Sequence, residues 1–219
     1  MAIGGQSEEM SKCCVYCGST GPLTDDHVPP RVVFTEPRPS NLITVPACSA
    51  CNHRFSRQDE QFASFLSVFV GIKTEKTKQL HQKNMKIVAH NKRLRQVIRS
   101  RIRPVWVRNE KMIIGTAQGL HWSPDEHDLM IARFIKALYY HCFKRPLPLH
   151  VPVEASRQQP FTAKVLDMWR SWPGENIGSG GEFRYRYLAL EDPENSIWML
   201  TFYDRHFASG TTGFRIVTE

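Results

Sequence analysis

The chain has 219 residues, 41% of them apolar, with a formal net charge of +8 and a pI near 9.3. That length holds one medium domain or two small ones around a packed core, and no apolar run is long enough to span a bilayer, so no membrane role is expected. The basic balance favours an anionic partner. Residues 1–12 carry Gly4, Gly5 and polar side chains without periodicity, which predicts a loose tail; the start lacks the charged and apolar regions of a signal peptide, so a cytoplasmic protein is expected. In a reducing compartment the closely paired members of the six cysteines bind metal rather than oxidise.

Two Cys-x2-Cys pairs, Cys14/Cys17 and Cys48/Cys51, supply four thiolates, the set that closes a tetrahedral zinc site. Cys13 offers a second pairing with Cys17, but Cys14-Val-Tyr-Cys17-Gly18 has the form of a zinc knuckle, with Gly18 relaxing the backbone where thiolates converge. Between the pairs, Thr24 to Val28 reads as a short strand stopped by Pro29-Pro30. A loop runs to Ser40, and a second strand, Leu42 to Val45, is expected to end at Pro46. A helix begins in the second knuckle and continues through Asn52, Phe55 and Gln58. The predicted order is strand, loop, strand, helix.

Phe62, Phe65, Leu66, Phe69 and Val70 then mark one helical face, with Gly71 as an interruption. Thr74 to Arg101 reads as a further helix with a narrow stripe of Leu80, Ile87, Leu94 and Ile98, about 42 Å long if unbroken. Between Lys73 and Arg103 stand eleven Lys or Arg and the single acid Glu75, more than the whole net charge. After Pro104 the texture changes. Val105–Val107 and Lys111–Ile114 read as a hairpin around Asn109, and Ser123-Pro-Asp-Glu126 as a capping box opening a helix whose apolar face is Ile131, Phe134, Ile135, Leu138 and Cys142. A short helix near Thr162 to Trp172, a flexible Gly178–Gly181 link, and strands at Phe183–Leu190 and Ile197–Tyr203 complete an α+β domain without a readable motif.

Cys14, Cys17, Asp26-His27, Asn41-Leu42, Cys48 and Cys51-Asn52, in that order, resemble the zinc-containing branch of the HNH endonucleases, whose fold is the ββα-metal finger. The resemblance covers about residues 13–57. It implies a zinc-stapled ββα-metal domain at 13–57, followed here by a basic helical segment at 58–103 and the C-terminal α+β domain at 104–219. It also implies hydrolysis of phosphodiester bonds, in DNA sooner than RNA, with His27 as general base, Asp26 and Asn52 as ligands of a catalytic Mg²⁺ or Mn²⁺, Asn41 bracing the loop that carries His27, and a structural Zn²⁺ on the four cysteines. His53, beside Asn52, is a rival ligand. Arg54 and Arg57 stand where a lysine is usual, and with Lys92, Arg93 and Arg95 they are the expected phosphate contacts. The sequence departs from the pattern in lacking a Gly-Gly after Asp26-His27-Val28-Pro29. Two other readings remain open: a zinc-ribbon module that binds nucleic acid without cutting it, and a nuclease subunit that needs a protein partner docked on its C-terminal domain, as phage or defence systems would use.

Overall fold

The computed structural model describes residues 13–109, 112–160 and 162–214; the expected N-terminal tail and Lys111 of the expected hairpin lie outside them. Strands β1 (Leu23–Val28) and β2 (Ile43–Cys48) pair antiparallel and lead directly into α1 (Ser49–Phe69). Pro46 does not end β2. It sits opposite Asp25, and because each strand of a two-stranded sheet has a free edge, a residue without an N–H is tolerated there. Its carbonyl accepts the Val15 N–H at 3.0 Å and so ties the first knuckle to the hairpin.

Helix α1 is one 21-residue rod. The helix expected in the knuckle and the amphipathic helix after it are continuous, so the expected boundary at 57/58 falls inside an element, as does the one at 103/104. The 42 Å rod, in contrast, does not form: α2 (Glu75–His90) and α3 (Lys92–Arg101) break at Asn91, whose Oδ1 accepts the Leu94 N–H at 3.0 Å to cap α3 and whose Nδ2 donates to Glu60 at 2.9 Å. An asparagine that satisfies an orphan helix donor competes well with one more residue of helix.

β3 (Ile102–Asn109) and β4 (Met112–Leu120) form a two-stranded ribbon of their own. Helix α4 (Pro124–Phe143) follows; Pro124 and the first-turn acids are as expected, but the Ser123 side chain makes no capping bond. Glu126 is drawn off to Gln61 and Arg101 instead of closing a capping box. The C-terminal half is a five-stranded antiparallel sheet in the order β5–β9–β8–β7–β6, built from β5 (Val153–Gln158), β6 (Asn176–Ile177), β7 (Phe183–Ala189), β8 (Ser196–Phe202) and β9 (His206–Thr212), with α5 (Ala163–Arg170) between β5 and β6 in the chain.

One cluster of buried side chains runs from Val15 to Ala208. Helix α4 makes this possible by packing against both the β1–β2 hairpin and strands β5 and β9. Phe62 of α1 meets Trp122, Phe134 and Phe202 at ring distances of 5.2, 5.2 and 5.5 Å. Each such fully buried aromatic contributes about 1.5–3 kcal/mol over an exposed one. No helix among the described residues is long and apolar enough to cross a membrane.

Candidate metal centre and catalytic site

The knuckle chemistry is visible in the backbone. Cys14 N–H donates to the Ser19 carbonyl and Gly18 N–H to the Cys14 carbonyl, each at 2.8 Å, with Gly18 at φ 73°, a left-handed turn that favours glycine. Cys48 is the N-cap of α1, its sulfur accepting the Cys51 N–H at 3.4 Å, and that backbone bond leads the effects holding its thiol down at about 7. The sulfurs of Cys14, Cys17, Cys48 and Cys51 all lie within 4.8 Å of one another. A tetrahedron with bonds of about 2.3 Å has sulfur–sulfur edges of about 3.8 Å, and the Cys17–Cys48 separation is 3.7 Å. These donors fit structural zinc. Cys13 stands outside the group.

His27 is half-buried near the end of β1. Its Nε2 accepts a hydrogen bond from Arg31 Nε at 2.9 Å, and Arg31 opens a single 3-10 turn (Arg31–Val33) that brings the guanidinium back onto the strand. Burial first, and the Arg31 charge second, hold the imidazole below its usual 6.5. The ring is therefore neutral at neutral pH, with a lone pair on Nε2. The loop beyond is braced by Lys83, which donates to the carbonyls of Val32 and Phe34 at 3.1 and 2.6 Å, and by Tyr203, which donates to the Val33 carbonyl at 2.8 Å.

Strand alternation sends Asp26 to the opposite face, toward α1. There it is 4% exposed, and one of its oxygens is engaged twice: Tyr16 Oη and Arg133 Nη2 each donate to Oδ2 at 2.6 Å, and the same guanidinium donates to Asp59. Arg133 also lies 4.2 Å from the Phe55 ring centre and 5.4 Å from that of Tyr16. Sequence reasoning missed this network because its members come from a knuckle, a strand and two helices. The one local signal is a charged residue set beside Ile131, Phe134 and Ile135 on the buried side of α4.

Asn52, in the first turn of α1, faces β1 but has different partners from Asp26. Its Nδ2 donates to Thr24 Oγ1 at 3.0 Å, and Thr24, Ser49, Asn52, His53 and Ser56 line a shallow cavity of about 170 Å³. His53 turns Nδ1 to the Ser49 carbonyl at 2.8 Å. The two expected cation ligands thus have different partners in this structure: Asp26 is in an ion pair with Arg133, and Asn52 is bonded to Thr24. Asn41 ends the loop that follows His27, and its side chain reaches across to the C-terminal sheet. It donates to the Asn176 carbonyl at 2.9 Å and accepts the Gly178 N–H at 3.1 Å, so the Gly178–Gly181 segment is pinned to the ββα loop and is not a free link.

Of the expected phosphate contacts, Arg54, Arg57 and Lys92 are exposed. Arg93 lies 3.9 Å from Glu60, and Arg95 gives one of its five donors to the Ala89 carbonyl at 2.7 Å. Comparisons with protein-family models, with curated proteins and with solved structures give no match.

Proposed function

We propose that this chain is a zinc-stapled endonuclease of the HNH type that hydrolyses phosphodiester bonds of DNA, with His27 as general base. The observation that carries the reading is the pairing of a four-thiolate clamp, which gathers the start of β1 and the end of β2 at the open end of the hairpin, with a half-exposed, neutral imidazole near the end of β1. Zinc closed by four sulfurs has no position left for substrate, so its part is to hold two short strands and a helix start in register. His27 offers Nε2 as proton acceptor to a water once Arg31 shifts from that nitrogen to a phosphate oxygen, a partner that a guanidinium bonds more strongly. Positioned proton removal of this kind contributes about 10²- to 10⁴-fold. A divalent cation, Mg²⁺ or Mn²⁺, would when bound stabilise the charge that develops on the phosphorus oxygens and the leaving 3′-oxygen. Asn52 is the expected ligand already facing an open cavity; Asp26 joins it only by giving up Arg133.

That last condition favours a second reading, a module that binds nucleic acid without cutting it, in which Asp26–Arg133 is simply a core ion pair. The two separate in one assay. Zinc-loaded protein with supercoiled plasmid and Mg²⁺ or Mn²⁺ is expected to nick the DNA, leaving 5′-phosphate and 3′-hydroxyl ends, and His27→Ala to abolish nicking while keeping its zinc. Intact plasmid under every metal condition selects the binding module.

A further inference from the structure

We propose that the β3–β4 ribbon is a reader of duplex DNA that lies in the major groove, an assignment that rests on the reading of DNA as the substrate. Among the described residues the two strands pair only with each other. All eight residues of β3 are exposed, and so are the first seven of β4. Trp106, Met112 and Ile114 are 68%, 73% and 61% exposed, a concentration of bare apolar surface that marks an interaction site. A lone two-stranded ribbon is marginally stable in water, so its partner is part of its purpose.

Its charge identifies the partner. From Lys92 to Asn109, through α3 and β3, there are seven Lys or Arg and no acid; the next two positions, 110 and 111, add one charge of each sign, and β4 is uncharged. Lys92, Arg99, Arg103 and Arg108 have no acidic partner among the described residues; Arg103 gives Nη1 to the Ser100 and Ile102 carbonyls at 2.7 and 3.0 Å and has further N–H donors on Nε and Nη2. A second copy of this chain would bring like charges together at the contact, which costs affinity. A polyanion gains from the same charges. Shape then chooses among polyanions: the major groove of B-form DNA admits a two-stranded ribbon, whereas the deep, narrow major groove of duplex RNA does not. Eight residues at about 3.3 Å each reach roughly 26 Å, enough to cross a groove about 8.5 Å deep. The exposed valines and isoleucines suit thymine methyl groups, and Arg103 and Arg108 suit phosphate or guanine edges.

The ribbon is also mounted firmly. β3 starts one residue after α3 ends, Arg101 holds Glu126 at 2.5 Å, and the His121 N–H closes the base on the Arg101 carbonyl at 2.8 Å. A groove contact is therefore transmitted to the body that carries His27.

The test measures binding of zinc-loaded full chain to a short labelled DNA duplex across a salt series, with no divalent cation added, so that cutting plays no part. Arg103→Gln with Arg108→Gln is expected to weaken binding about tenfold or more and to lower the salt slope by roughly 1.8, at about 0.9 per lost contact. Trp106→Ala with Ile114→Ala is expected to weaken binding at an unchanged slope. Both pairs are solvent-facing, and thermal melts of the variants are expected to match the wild type. Wild-type affinity and slope in both pairs would overturn the proposal. So would equal affinity for an RNA duplex, or ribbon variants that change the oligomeric state and leave DNA affinity alone. His27→Ala is expected to bind like the wild type, so a failure of the nuclease reading leaves this result readable.

Discussion

Arg133 is the residue whose environment is least forgiving. Its guanidinium serves two carboxylates in the core, Asp26 and Asp59, and burial, opposed by Arg133, pushes the Asp59 carboxyl up to about 6. Removing one partner of a buried ionic group leaves the others uncompensated, at a cost of about 3–5 kcal/mol. Arg133→Met is expected to lose that much in urea unfolding; a loss below about 1 kcal/mol would mean that the network is not holding this part of the core. A second pair sets a pH dependence. His127 and His206 are buried with their Nε2 atoms 2.9 Å apart, and His127 Nδ1 lies 2.6 Å from Asp128. One consistent arrangement has His127 donating to Asp128 and accepting from His206, with both rings neutral. Burial, then the neighbouring His127 and Arg157, hold His206 at about 3, and burial lowers His127 as well. Depressed imidazoles take up protons in the unfolded chain first, so stability is complete above pH 6.5 and falls as pH drops from there toward 3, by about 1.4 kcal/mol per pH unit per ring at most. Urea midpoints between pH 7.5 and 5 are expected to fall, and His206→Phe to flatten the fall; a midpoint independent of pH would contradict the buried neutral pair. Neither cluster was legible beforehand, because each joins residues far apart in the chain, and a lone histidine or arginine in a helix carries no mark of its partner.

At the scale of elements, the sequence is readable where local chemistry decides and silent where packing does. β1, α1, α4 and the β3–β4 ribbon follow from periodicity, proline and knuckle spacing. The break between α2 and α3 does not, since the apolar stripe runs through it. Only the Asn91 side chain, capping one helix and reaching Glu60, makes the interruption favourable. Asn91→Ala is expected to cost about 1 kcal/mol by loss of the cap, read from urea unfolding, and an unchanged midpoint would assign the break to packing alone. Strands β5 and β9 escaped notice for a related reason: Val-Glu-Ala-Ser-Arg-Gln and His-Phe-Ala-Ser-Gly-Thr-Thr have little β-branched or alternating character. Gly210 is required there because a Cβ would stand 2.4 Å from Ile135 Cδ1 and 2.5 Å from the Glu154 carbonyl oxygen. What reads as a turn signal is room made for α4.

The molecule as a whole does not divide where composition changes. The ββα hairpin, α1, α4 and the five-stranded sheet share one core, and Asn41 joins the hairpin loop to the far sheet edge. The thiolate clamp was legible in full, down to Cys14 in place of Cys13. The surroundings of Asp26 were not, since Arg133 arrives from more than a hundred residues away. The proposed activity requires that the four-thiolate clamp hold zinc and serve an imidazole that cuts DNA. Zinc content and plasmid nicking, measured together on the wild type and His27→Ala, test this most directly. One zinc per chain in both proteins, with nicking in the wild type alone, is the predicted result; equal nicking by the two, or a chain that holds no zinc, would contradict it.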